Sequence, residues 1–257
     1  MSLLATQDLT IRFGGHVAVN AVTCAFQPGT LTAIVGPNGA GKTTYFNLIS
    51  GQLRATEGTV TLNGRDLSGM SASQRTRAGL GRAFQLTNLF PRLSVLENVR
   101  LAVQAAHDGG HRRGLNLWSV WSDHGQLVER ADEVLQAVAL KDKEGELVAN
   151  LPHGDQRKLE VALLMALEPQ VFMFDEPTAG MNAAEAPVIL NLIRRLKEDK
   201  SKTILLVEHK MDVVRELADR IIVLHNGTLV ADGEPAEVIA SPIVQEAYLG
   251  IAKEAAA

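Results

Sequence analysis

Within GPNGAGKTT, Gly36 to Thr44, the first eight residues fit the pattern G-x-x-x-x-G-K-[ST] in full. Gly36, Gly39 and Gly41 let the backbone curl so that successive N–H groups converge on an anion, and a helix that follows adds its positive end. Lys42 supplies a point charge for the β and γ phosphates of a nucleotide, and Thr43 offers its hydroxyl to Mg²⁺. Pro37, Asn38, Ala40 and Thr44 complete this candidate nucleotide-binding loop. A second group lies far along the chain in VFMFDEP. Asp175 closes an apolar run and is placed to hold Mg²⁺ through water, and Glu176 beside it is placed to polarise an attacking water. The two groups together define a nucleotide hydrolase or a phosphoryl transferase. No N-K-x-D segment for guanine recognition occurs.

This chemistry requires a strand before each group, with both strands ending at one edge of a sheet. LTAIV runs directly into the glycine loop and YFNLIS after it has helical spacing, which is the strand–loop–helix context the motif needs. Upstream, LTIRF and HVAVNAVTCAF about Gly14–Gly15 read as antiparallel strands, as do the two short runs about Asn63–Gly64. SVLENVRLAVQAA and VERADEVLQAVAL read as a helical arm, with an aperiodic insertion at about 107–125. Downstream, the strands VFMF and TILLV alternate with helices, and IIVLHNGTLVADG makes a final strand pair. The expectation is an α/β fold: a mainly parallel sheet covered on both faces, an antiparallel β subdomain and a helical arm. Residues 1–92 and 161–257 form the two parts of the nucleotide-binding core, and 93–160 the helical subdomain.

Composition excludes several alternatives. The formal charge is −4 and aromatics are 4 % of the 257 residues, so neither a polyanion-attracting field nor a base-stacking surface is expected, and no nucleic-acid partner. The single cysteine, Cys24, cannot form an internal disulfide and reads as a small buried hydrophobe in a reducing compartment. The opening MSLLATQDLT lacks a basic region followed by an apolar run, so no secretion signal is expected. The longest uncharged stretch, Phe13 to Gly41, is broken by Pro28, Pro37 and several glycines and does not read as a membrane span. His107, His111 and His124 in the insertion read as a surface loop rather than a metal site, and Trp118 and Trp121, three apart, read as packing onto the arm, with contact to a transmembrane partner as the alternative.

Four further segments occur in a telling order: Gln85 in GRAFQ, LPHGDQ from Leu151 to Gln156, PTAGMN after Asp175–Glu176, and His209 in LLVEHKMD. With the glycine loop and VFMFDE, they make the chain from about Leu9 to Gly250 resemble the ATPase subunit of an ABC transporter, with its P-loop NTPase core. The resemblance implies ATP and Mg²⁺ as ligands and Glu176 as general base. It places Gln85 at Mg²⁺ and the attacking water, where it also relays nucleotide state to the arm, and His209 at the γ-phosphate. It puts Phe13 where an aromatic stacks on adenine; core packing is the alternative, because Phe13 sits in a strand-like segment. Two such subunits join head to tail, so Leu151, Pro152, His153, Gly154 and Asp155 would face the partner's nucleotide. This segment departs from the common LSGGQ: Pro152 has no hydroxyl or N–H to donate, and Asp155 would repel a phosphate unless Arg157 and Lys158 offset it.

LPHGDQRKLE and the ending EAYLG resemble the LivG-like ATPases of branched-chain amino acid importers. The expected function is therefore ATP hydrolysis that powers import of branched-chain or related hydrophobic amino acids through a membrane permease. Importers of urea, short amides or aromatic acids, or a non-transport ABC protein, are the alternatives. The implied partners are a second, similar but nonidentical ATPase subunit, two transmembrane permease subunits and, indirectly, an extracytoplasmic solute-binding protein. The implied location is cytoplasmic, on the inner face of the cell membrane.

Overall fold

LTAIV, VFMFD and TILLV are buried at every position. Runs of that kind belong to strands covered on both faces, and these three form the middle of a parallel sheet. The computed structural model describes residues 3–83, 89–107, 125–182, 184–242 and 244–245. In it the three runs are β3 (Leu31–Val35), β7 (Val171–Asp175) and β8 (Thr203–Val207). They lie side by side in the order β3, β8, β7, with β6 (Leu80–Ala83) beyond β7 and β9 (Arg220–His225) on the other side of β3. All five are parallel, and β10 (Thr228–Gly233) closes the edge antiparallel to β9.

The two-residue period of each strand divides its side chains between two cores. Val171, Met173, Leu205 and Val207 enter one, and Phe172, Phe174, Ile204 and Leu206 enter the other. The first is roofed by a four-stranded antiparallel sheet of β2 (His16–Phe26), β1 (Leu4–Phe13), β4 (Glu57–Leu62) and β5 (Arg65–Asp66), in that order. Between the sheets runs α1 (Lys42–Ser50), whose Tyr45, Phe46 and Ile49 are fully buried. Each such side chain contributes about 1.5–3 kcal/mol of burial. The Tyr45 hydroxyl keeps a partner there, hydrogen-bonded to Thr6 Oγ1 at 2.8 Å. After β5, α2 (Ala72–Arg77) starts on a reciprocal cap between Ser71 and Gln74.

The second core joins the other sheet face to α3 (Val95–His107), α4 (Gly125–Ala137), α5 (His153–Ala166) and α6 (Ala186–Glu198), through Val99, Leu135, Leu159 and Ile193 among others. The α5 helix continues across residue 160, where the sequence reading divides the arm from the core, and ends at Ala166. A third cluster packs α7 (Met211–Leu217) and α8 (Pro235–Ala240) on β9 and β3 through Val214, Val238, Ile221 and Val35. His107 ends α3, whereas His111, Trp118, Trp121 and His124 lie outside the described residues. Among the described residues, no helix is long and apolar enough to cross a membrane. The topology brings the carboxyl ends of β3, β7 and β8 to one edge, where an open parallel sheet holds ligands.

Candidate functional site

The chain leaves β3 at Val35 and turns through a space that admits no side chain at two points. A Cβ on Gly36 (φ 151°) would lie 2.2 Å from the Leu224 carbonyl oxygen, and one on Gly41 (φ 96°) would lie 2.6 Å from that of Ala18. The loop is thus pressed between β9 and β2, with glycine the only residue that fits. Its Lys42 opens α1 and is nearly buried, and Nζ donates to the carbonyls of Gly36 (2.7 Å) and Pro37 (2.9 Å). Burial pushes the Lys42 ammonium below its ordinary pKa, against the opposing pull of Glu176 and Asp175. The start of α1 has no side-chain cap, so its backbone donors face outward over the loop.

Asn38, Gly39, Ala40, Gly41, Lys42, Thr43 and Thr44 line a cavity of about 300 Å³, and Glu176 and His209 form part of the same wall. His16 and Ala18 also line it. Sequence reasoning missed this pair; the available signal was the Gly14–Gly15 turn, which sets His16 opposite Phe13 in the β1–β2 register. Phe13 is 50 % exposed at that turn, which rules out the core role, and it stands outside the cavity lining.

The acidic pair is positioned by strand pairing. Asp175 ends β7 opposite Val207 at the end of β8, and the Glu176 N–H donates to the Val207 carbonyl at 2.9 Å. Glu176 takes a left-handed backbone conformation (φ 48°), uncommon outside glycine and held here by its surroundings. Its Oε1 lies 2.6 Å from His209 Nε2, a hydrogen bond that joins two residues 33 apart in sequence. Beneath them Glu208, 3 % exposed, accepts from Thr178 Oγ1 at 2.9 Å and from the His209 N–H at 3.0 Å. Glu208 was also missed, although a carboxylate closing the apolar run TILLV was a visible signal.

Asp175 has a carboxylate buried by the protein, and burial pushes its pKa up while the Arg82 guanidinium pulls it down. Arg82 Nη2 donates to Oδ2 at 2.8 Å, whereas the buried Oδ1 has no hydrogen-bond partner. An acceptor of this kind fits a divalent cation, reached directly or through water. Among the described residues, no three His, Cys, Asp or Glu side chains come together as an all-protein metal cage. The donor set therefore suits Mg²⁺, which takes one or two protein oxygens and completes its shell with waters and substrate phosphates. Gln85 lies outside the described residues.

Leu151, Pro152, His153, Gly154 and Asp155 sit apart from the cavity, at the start of α5, where Pro152 occupies the N-cap position. Asp155 turns inward, its carboxylate held by Lys143 Nζ (2.5 Å) and Lys158 Nζ (2.8 Å). Arg157 pairs instead with Glu160, so the expected offset of the Asp155 charge comes from Lys143 and Lys158. A Cβ on Gly154 would lie 2.3 Å from the Glu185 carboxylate, so this helix start is crossed by the side chain that precedes α6.

The family model for the ABC transporter matches residues 19–179. The chain belongs to the ABC transporter family. Residues 228–254 also match the model for the branched-chain amino acid ATP-binding cassette transporter. Among curated proteins, the high-affinity branched-chain amino acid transport ATP-binding protein LivG of Salmonella typhimurium is 39 % identical, over 96 % of this chain and 98 % of its own length. Two solved ABC structures share the fold. The ADP conformation of an ATP-binding cassette of an ABC transporter has a TM-score of 0.80 and 28 % identity, over 97 % of this chain and 99 % of that one. A dimeric ATP-binding cassette in a post-hydrolysis state, bound to ADP and Pi, has a TM-score of 0.76 and 25 % identity, over 90 % and 98 %. The architecture described above is thus the ABC ATPase fold.

Proposed function

We propose that this chain binds Mg·ATP in the cavity at the start of α1 and hydrolyses it, and that hydrolysis in an assembled complex powers import of branched-chain amino acids through a membrane permease. The observation that carries the hydrolytic part is the contact between Glu176 and His209 in the wall of a cavity whose remaining lining is mostly the glycine loop. The backbone N–H groups of residues 38–44 and the Lys42 ammonium bind the phosphates; Phe13 and His16, at the exposed β1–β2 turn, lie toward the base. Glu176 takes a proton from the attacking water as the water oxygen bonds to the γ-phosphorus and the bond from that phosphorus to the ADP oxygen breaks. His209 orients Glu176 through the 2.6 Å contact of its Nε2 and lines the wall that the γ-phosphate would face. Thr43 and Asp175 Oδ1 are the protein groups for Mg²⁺, which when bound neutralises charge on the β and γ phosphates. For Gln85 a contact to metal and water is implied by the resemblance of GRAFQ alone.

The partners follow the same reading. A second, similar subunit faces this one head to tail, so that the Leu151–Asp155 segment of each meets the nucleotide of the other. Because Asp155 is already paired with two lysines, its charge is not directed at that phosphate. A second cleft, of about 400 Å³, is lined by Leu89, Phe90, Leu101, Leu163 and Leu167 together with Arg82, Asn98 and Glu160, and Phe90 is 54 % exposed there. The chain then works at the inner face of the membrane, and a solute-binding protein acts on it only through the permease. The choice of solute is supported by the name of the LivG relative and by the branched-chain model at residues 228–254. ATP turnover by the complex reconstituted in lipid with its binding protein tests it. Leucine, isoleucine or valine should stimulate; stimulation by urea or benzoate alone contradicts the solute assignment and leaves the ATPase reading in place.

A further inference from the structure

The site contains one carboxylate whose two oxygens have different surroundings, and the cause is Arg82, a residue of GRAFQ to which sequence reasoning assigned no role. Asp175 Oδ2 is bound to Arg82 at 2.8 Å, with the Arg82 and Asp175 side chains 5 % and 0 % exposed, while Oδ1 is left without a partner. Two charges taken so far out of water are tolerated only where geometry is good and the remaining donors are satisfied. Arg82 Nη1 is engaged at the far end of α1, donating to Asn47 Oδ1 (2.6 Å), Ser50 Oγ (2.9 Å) and Gln52 Oε1 (3.1 Å), and the buried Nε alone is left without a partner. The guanidinium carbon also lies 5.1 Å from the centroid of the Phe46 ring, which fixes its plane. Parallel pairing sets Arg82 opposite Met173, so Arg82 and Asp175 project from the same face of the sheet. One buried guanidinium therefore ties the strand that carries the Asp175 carboxylate to the helix whose first turn carries Lys42 and Thr43.

We propose that Arg82 is the positioning residue for the divalent cation: by holding Oδ2 it fixes the carboxylate so that Oδ1 is presented toward Thr43. This rests on the reading of Asp175 as a metal-binding carboxylate. An exposed aspartate is free to rotate about χ1 and χ2, and ordering it costs entropy each time a cation binds. Here that cost is met on folding, because the guanidinium engages Oδ2 and three acceptors from α1 and the turn after it hold the guanidinium. Outer partners of metal-binding carboxylates typically contribute about 10–100-fold to metal affinity. The guanidinium charge opposes the cation, but it sits on the oxygen the cation does not use.

The test is Mn²⁺ affinity of the full chain saturated with ADP, followed by electron paramagnetic resonance, with ADP affinity in EDTA measured beside it. Arg82→Gln should weaken Mn²⁺ binding about tenfold or more while leaving metal-free ADP affinity unchanged, a separation that general loosening of the fold does not produce. Asn47→Ala with Gln52→Ala, which removes two of the three acceptors and leaves the ion pair, should weaken Mn²⁺ in the same direction. Asp175→Asn is the reference. If it binds Mn²⁺ as wild type does, the metal reading of Asp175 fails and this inference with it. If it loses Mn²⁺ while Arg82→Gln binds Mn²⁺ unchanged or more tightly, the positioning role alone is overturned. Should Arg82→Gln fail to fold, unchanged Mn²⁺ affinity in the Asn47 and Gln52 double variant overturns it equally.

Discussion

Replacing Glu208 separates the two jobs this buried side chain performs. Its carboxylate accepts from Thr178 Oγ1 at 2.9 Å and from the His209 N–H at 3.0 Å, with the Lys210 N–H more distant at 3.4 Å. Hydrogen bonds to a charged acceptor are worth about 1.5–3 kcal/mol each, so Glu208→Ala removes roughly 3–6 kcal/mol through the two short ones. For a chain of this size each kcal/mol moves the melting temperature by about 2–4 °C, which puts the expected fall at roughly 6–24 °C. Glu208→Gln behaves differently. With its amide oxygen turned to the His209 N–H and its amide NH₂ donating to Thr178 Oγ1, both contacts persist without charge assistance, and the loss is about 1–2 kcal/mol. Thermal denaturation gives the stability, and ATP turnover of the assembled complex gives the function. Turnover should fall in the folded Ala variant and be largely kept in the Gln variant, because His209 is held by this backbone contact. Equal melting temperatures for the two variants, or full turnover in Glu208→Ala, would refute the reasoning.

Two further outcomes are expected. Lys42→Ala should lower ATP turnover by about 10²-fold or more, since no neighbouring side chain in the loop replaces the charge; unchanged turnover and nucleotide affinity would remove the loop from phosphate binding. Burial raises the Asp155 carboxyl, but the Lys143 and Lys158 ammonium groups more than offset this and hold it below the ordinary carboxylate value. Its contribution is therefore complete above about pH 4 and is lost as pH falls through the lowered folded value. Asp155→Asn should cost about 1–2 kcal/mol at pH 7, discounted for the partly exposed Lys143, and should flatten the acid limb of a stability profile; an unchanged acid limb would contradict the pairing.

What the sequence revealed of this site was what local spacing controls. The glycine loop is nine adjacent residues, and its curl is dictated by positions such as Gly36 and Gly41 whose backbone admits no Cβ. Asp175 and Glu176 were singled out because they close an apolar strand, and His209 through the resemblance carried by LLVEHKMD; parallel pairing of β7 and β8 brings these strand ends together. Arg82 was invisible because its meaning depends on sheet order: it meets Asp175, 93 residues away, only once β6 is seated beside β7. Lys143 was missed for a related reason. It lies 12 residues before Asp155, across the turns that return the chain from α4 to α5, and Arg157, nearer in sequence, faces Glu160 instead. The alternation of strands with helices foretold two covered sheet faces but not that α5, which packs on α3 and α4, runs on past residue 160.

The decisive measurement is steady-state ATP hydrolysis by the assembled complex carrying Glu176→Gln, with ATP affinity determined on the same preparation. If Glu176 takes the proton of the attacking water, turnover falls by about 10²–10⁴-fold while Mg·ATP still binds. Wild-type turnover in this variant would contradict the assignment of Glu176 as the base, and with it the mechanism built on its 2.6 Å contact to His209.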